Sequence, residues 1–143
     1  MGVKNKVSCD WQGGLAFEAE LPGGKIMLDA EPEVGGQGRG VRPKPLMLVS
    51  LAGCTAMDVA SLFKKMRAEP DDFKVYVSGE LTDVHPKYYA TAHIEYHFWG
   101  KNLKKDKLEK SVNLSLDRYC GVTAMFRKFS TVTFEIIYHD EAE

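Results

Sequence analysis

Two of the three cysteines stand where sulfur can do chemistry. Cys54 lies in Ala52-Gly53-Cys54-Thr55-Ala56-Met57-Asp58, and Cys120 in Asp117-Arg118-Tyr119-Cys120-Gly121-Val122. A thiolate is a nucleophile and an oxidisable group, and a second thiol beside it can trap the oxidised sulfur as a disulfide. The two positions are 66 residues apart (120 − 54), so only the fold can bring them together. A glycine adjoins each sulfur, which lets backbone or a substrate approach closely, at a helix cost of ~1 kcal/mol for Gly53. A buried free cysteine is equally at home as a small hydrophobe, so the residues taken singly leave both readings open. Cys9, at the start of the first strand, is read as structural or incidental. His93, Glu95 and His97 share one strand face but lack a closed ligand shell, so neither metal nor cofactor is expected. Gly35, Gly36, Gly38 and Gly40 do not follow a strand in the spacing of a phosphate loop, so no nucleotide site is expected.

The elements that must position these cysteines follow from pattern. Leu15, Phe17 and Ala19 alternate with polar or small residues, Pro22-Gly23-Gly24 turns the chain, and Lys25 to Leu28 resumes the pairing. Residues 31–45 are a Gly/Pro-rich loop. Leu46 to Arg67 is a long helix candidate with Pro45 at its start and Pro70 beyond its end. Its first two-thirds are apolar on nearly every side, which predicts burial all round. The apolar run falls short of the ~20 residues a bilayer needs, and Asp58 interrupts it, so a membrane span is not expected. Residues 75–81 and 88–99 read as strands, the second with Ala92, Ile94, Tyr96 and Phe98 on its inner face. Lys104 to Tyr119 is an amphipathic helix with Leu108, Val112, Ser115, Leu116 and Tyr119 on its apolar face, and Gly121 fits a stop that would leave Cys120 at an exposed end. Residues 131–138 are a final strand. The order β-β-(β)-α-β-β-α-β predicts an α+β fold of antiparallel sheets with two main helices, in a single domain over residues 1–143.

Composition narrows function further. The chain of 143 residues carries 19 Lys+Arg against 20 Asp+Glu. So balanced a charge offers no field for a phosphate backbone, and nucleic acid is not expected as a partner. Three cysteines suit no secreted disulfide scaffold, and no signal peptide is visible after Met1, so a reducing cytoplasm is the expected setting. One sheet and a short helix cannot cover a helix that is apolar all round. A second copy of the chain is the simplest cover, and a homodimer with an apolar interface is expected.

Leu51-Ala52-Gly53-Cys54-Thr55-Ala56-Met57-Asp58-Val59-Ala60, with Phe63-Lys64-Lys65-Met66-Arg67 after it, resembles the helix of the OsmC/Ohr superfamily, most of all its YhfA-like branch. Arg118-Tyr119-Cys120-Gly121-Val122 resembles that branch's second cysteine motif, and the likeness spans roughly residues 15–140. The resemblance implies an intertwined homodimer with the long cysteine-bearing helices at its centre and sites at the subunit interface. It also implies thiol-dependent reduction of organic hydroperoxides in an oxidative stress response. Cys54 would be the peroxidatic cysteine and Cys120 the resolving one, with a small-molecule oxidant and a thiol reductant as partners.

One departure stands out. Where the peroxidase branches of that superfamily carry a glutamate near the helix start, this chain has Lys44 and Pro45, and the aligned arginine position falls on an aliphatic residue near Val34. Arg39, Arg42 and Lys44 are the cations left to activate Cys54. Asp58, one turn beyond it, would oppose its thiolate unless paired. Thr55 is expected to bond its own helix backbone, and Asp58 to bond a polar group across the dimer. The alternative function is a non-catalytic dimer that binds an apolar ligand or senses redox state.

Overall fold

The computed structural model describes residues 2–140. The chain divides between residues 47 and 48 into two compact units. In the first, β1 (Ser8–Trp11), β2 (Phe17–Leu21) and β3 (Gly24–Leu28) form an antiparallel meander, with Cys9 opposite Ala19 and Ala19 opposite Ile26. Ala16 and Ala19 are buried, whereas Leu15 is exposed. Leu15 does not join Phe17 and Ala19 inside because β2 begins only at Phe17.

The loop after β3 is ordered by a residue that the sequence pattern did not mark. Asp29 is 2% exposed. Its carboxylate accepts backbone N–H bonds from Ala30 (2.7 Å), Gln37 (3.2 Å) and Arg39 (3.0 Å), which holds its pKa below the ordinary carboxylate value. Two glycines let this loop close on itself. A Cβ at Gly36 would collide with the Ala30 carbonyl, and one at Gly40 with the Met27 carbonyl.

The second unit is built on a sheet in the order β4 (Asp72–Leu81), β5 (Tyr89–Gly100), β6 (Thr131–Asp140). β4 and β5 pair antiparallel, but β6 runs parallel to β5. The expectation of antiparallel pairing fails at this one place. A crossover through α3 (Lys105–Leu114) and α4 (Gly121–Phe126) returns the chain to the end from which β5 started, which is how parallel neighbours are joined. Alternation within a strand reports its faces and not its direction.

Ala92, Ile94, Tyr96 and Phe98 are all 0% exposed, as the period-2 pattern of β5 predicts. They pack with Leu51, Val59 and Phe63 from the preceding helix and with Leu108, Val112 and Leu116 from the crossover. The long helix comes as α1 (Leu46–Ser61) and α2 (Phe63–Met66), parted at Leu62, and Arg67 in a left-handed conformation (φ 55°) ends it. Within one chain only Leu51, Thr55 and Val59 of α1 are buried, a single stripe at i, i+4, i+8. Met57 is 75% and Val49 61% exposed. The helical stretch Leu46–Met66 spans 21 residues at a mean hydropathy of 1.8, long and apolar enough by composition alone to cross a membrane. This exceeds the shorter run read from the sequence, because the helix continues beyond Asp58. Its inward stripe nevertheless packs as a core helix does.

Candidate functional site

Cys54 enters the core edge from α1, one residue before the buried stripe position Thr55. Cys120 is brought to it by an irregularity in the crossover. After α3 the chain makes a π-helical turn, Ser115–Tyr119, the kind of local widening that recurs at functional sites. The extra residue rotates Tyr119 outward to 56% exposure, against its expected place on the apolar face. The same turn swings Cys120 inward, to 4% exposure. Gly121 therefore does not stop a helix and leave the cysteine outside. It opens α4, with Cys120 as the N-cap.

The three atoms Cys54 Sγ, Cys120 Sγ and an Asp58 carboxylate oxygen lie within 4.8 Å of one another. The fold thus joins the two predicted cysteines across 66 positions. Both sulfurs receive backbone N–H groups from the first turn of α4. Thr123 N–H donates to Cys120 Sγ at 3.3 Å, and Val122 N–H donates to Cys54 Sγ. The Val122 donor favours a Cys54 thiolate. It is outweighed, because the Cys54 thiol is pushed up first by burial and then by the neighbouring Cys120 and Asp58.

Asp58 is itself held by a buried chain of hydroxyls. Ser115 Oγ donates to Asp58 Oδ2 at 2.9 Å. Thr55 Oγ1 lies 2.8 Å from Ser115 Oγ and 2.7 Å from Tyr96 Oη. A carboxylate only accepts, so Ser115 spends its proton on Asp58 and accepts from Thr55. Thr55 must then accept from Tyr96. Every link points towards the carboxylate, Tyr96 to Thr55 to Ser115 to Asp58, an arrangement in which each bond polarises the next. Burial holds the Tyr96 phenol up at about 12. One expectation is corrected here: Thr55 bonds side chains and not its own helix; Asp58 has a donor within the chain, Ser115. Ser115 was legible as a polar residue on an otherwise apolar helix face, and Tyr96 as a hydroxyl on an inward strand face. Neither pattern says that the two meet at Thr55.

Two of the three candidate cations, Arg39 and Arg42, are paired within the first unit. Arg39 Nε lies 3.4 Å from Asp29 Oδ2, and its Nη2 donates to the Gly13 carbonyl at 3.1 Å. Arg42 pairs with Glu31 at 3.7 Å and donates to the Gly40 carbonyl at 2.8 Å. Cys9 is exposed on β1. Beside the cysteine cluster, an open hollow is lined by Asp58, Ser61, Leu62 and Tyr119. A Cβ at Gly53 or at Gly121 would touch nothing within 4 Å among the described residues, so there is open space beside each cysteine along the chain, while Cys120 itself is buried and Cys54 half-buried.

Comparison with known proteins identifies the family. The model of the family described as "OsmC-like protein" matches residues 36–135, a span that contains both cysteines. The chain belongs to the OsmC-like family. It is 31% identical to Protein YhfA of Escherichia coli strain K12 over 133 residues, covering 89% of this chain and 94% of that one. A hypothetical protein from Aquifex aeolicus has the same fold at a TM-score of 0.79 and 28% identity, covering 98% of this chain and 100% of that one. A putative organic hydroperoxide resistance protein from Vibrio cholerae, with captopril bound in one of its active sites, shares the fold at a TM-score of 0.67 and 16% identity, covering 95% and 94%.

Proposed function

We propose that this chain is a homodimeric thiol redox protein that reduces organic hydroperoxides, with Cys54 as nucleophile and Cys120 as resolver. Membership in the OsmC-like family supports a redox or peroxide-resistance role, and the name of the structurally similar Vibrio cholerae protein, an organic hydroperoxide resistance protein, suggests the same substrate class. The observation that carries the reading is the meeting of two free thiols and a carboxylate within 4.8 Å.

The chemistry balances without a cofactor. The Cys54 thiolate attacks the terminal peroxide oxygen, the O–O bond breaks, and the departing alkoxide takes a proton to leave as an alcohol. Cys54 is then a sulfenic acid. The Cys120 thiol attacks that sulfur as its proton passes to the departing hydroxyl, so water leaves and a disulfide remains. An external dithiol returns both cysteines to thiols and is itself oxidised to a disulfide. Because burial, Cys120 and Asp58 all raise the Cys54 thiol, thiolate is scarce at neutral pH and the rate climbs as pH rises.

The open face of α1 supports the dimer. Val49 and Met57 are exposed on it, and Gly53 between them offers room for close approach. Unpartnered apolar surface of this kind is characteristic of an interface.

The test is mass spectrometry after one equivalent of cumene hydroperoxide. The expected products are a Cys54–Cys120 disulfide and one equivalent of cumyl alcohol. In Cys120→Ser the reaction stops at a Cys54 sulfenic acid that dimedone traps. If both thiols of the wild-type chain survive unmodified, the reading is wrong.

A further inference from the structure

We propose that the outer face of the β5–β6 pair binds a divalent transition-metal ion of the zinc class through His93 Nε2 and the carboxylates of Glu95 and Glu135. The parallel register sets His93 beside Thr133 and Glu95 directly beside Glu135. One ligand atom from each of His93, Glu95 and Glu135 lies within 4.8 Å of the other two. Sequence spacing alone showed only His93, Glu95 and His97 on a single strand. The pairing of β6 supplies the further carboxylate from 40 positions away.

Three features argue for a cation. First, like charges directly opposite on neighbouring strands are destabilising, and Glu95 and Glu135 stand in that relation. A divalent ion between them removes the repulsion. Second, the ligands are already oriented from behind. His93 Nδ1 is 2.7 Å from Thr133 Oγ1. In the tautomer whose Nδ1–H donates to Thr133, the Nε2 lone pair is free on the side of Glu135. His97 Nε2 donates to Glu95 Oε1 at 2.9 Å, and His97 Nδ1 then accepts from His139 Nε2 at 2.8 Å. His139 is in turn stacked on Trp99 at 4.6 Å. Metal-binding histidines and carboxylates are characteristically held by such outer partners. Third, His93 Nε2 lies 3.5 Å from Glu135 Oε1, too far for a good hydrogen bond. It is close to the separation of about 3.3 Å that ligands at 2.0–2.1 Å take around a tetrahedral ion. One nitrogen and two oxygens leave a fourth position for water. The set suits zinc better than calcium, which requires more oxygens, or a soft ion, which prefers sulfur.

The test is calorimetric titration of zinc chloride into the full-length chain carrying Cys9→Ser, Cys54→Ser and Cys120→Ser, which removes the competing thiols. One ion per chain binds saturably. His93→Gln and Glu135→Gln each weaken binding at least tenfold, and Thr133→Val, which touches no ion, weakens it about tenfold. His85→Gln leaves it unchanged. In the wild-type chain, the His93 imidazole resonances shift on adding zinc, an observation that does not depend on the cysteine substitutions. Absence of saturable binding up to millimolar zinc overturns the proposal, as does binding that persists unchanged in either ligand variant.

Discussion

Replacing Thr55 by valine keeps the shape of a fully buried side chain and deletes the one atom shared by two hydrogen bonds. The Tyr96 hydroxyl, 2.7 Å away, loses its only side-chain partner among the described residues and is stranded in a core where its residue is 0% exposed. An orphaned buried donor costs about 1–3 kcal/mol. Ser115 loses its donor from Thr55 but keeps its bond to Asp58, a loss of about 1 kcal/mol at most. The expected penalty is therefore about 2 kcal/mol, seen as a fall in Tm of roughly 4–8 °C for a chain of this size. Tyr96→Phe removes the stranded group instead of creating one, and costs about 1 kcal/mol. In the Thr55→Val/Tyr96→Phe double variant the orphan no longer exists. Its destabilisation falls short of the sum of the single variants by about 1 kcal/mol or more. Urea unfolding of the four proteins at one protein concentration measures the cycle. Additive penalties, or a Thr55→Val chain as stable as the wild type, would refute the directed hydroxyl chain.

Asp58→Asn removes a charge that raises the Cys54 thiol; iodoacetamide labels Cys54 about threefold faster at pH 8, measured by peptide mass. The Cys54 pKa is higher in the fold than the ordinary 9.0. Its contribution to stability is therefore complete below that value and is lost as pH rises through the folded value. Urea midpoints of the wild type thus drop on the alkaline side more steeply than those of Cys54→Ala. Asp29 has the opposite sign. Its pKa lies below 3.8 in the fold, so its contribution is present above that value and lost as pH falls through the folded one. Asp29→Asn flattens this acid limb, and the Gln37 and Arg39 amides lose hydrogen-exchange protection. On the proposed homodimer, whose interface would use the open face of α1, the wild type is expected to show a light-scattering mass of two chains and Met57→Lys, at a position 75% exposed, that of one.

The strands and the long helix were legible because their signals are local. Ala92, Ile94, Tyr96 and Phe98 report a buried face by alternation alone, and Pro45 and Pro70 bracket the helical stretch. The two cysteines were legible as motifs. What surrounds them was not. The π turn that inverts Tyr119 and Cys120 depends on one additional residue per turn, which leaves no mark in hydrophobic periodicity. The parallel course of β6 is decided by the crossover, so the neighbourhood of Glu95 and Glu135 could not be read from either strand. Asp29 looked like any loop carboxylate, because its partners are backbone amides, which every residue carries.

The place where Cys120 enters the fold also has a mechanical meaning. A covalent link from residue 54 to residue 120 would close a loop of 66 positions that encircles β4, β5 and α3, most of the larger unit's framework. Shortening the freedom of so long a segment disfavours the unfolded chain by about 4 kcal/mol in the loop-entropy picture. Oxidation would thereby act as a buckle, and the redox history of the molecule would be written into the temperature at which it comes apart.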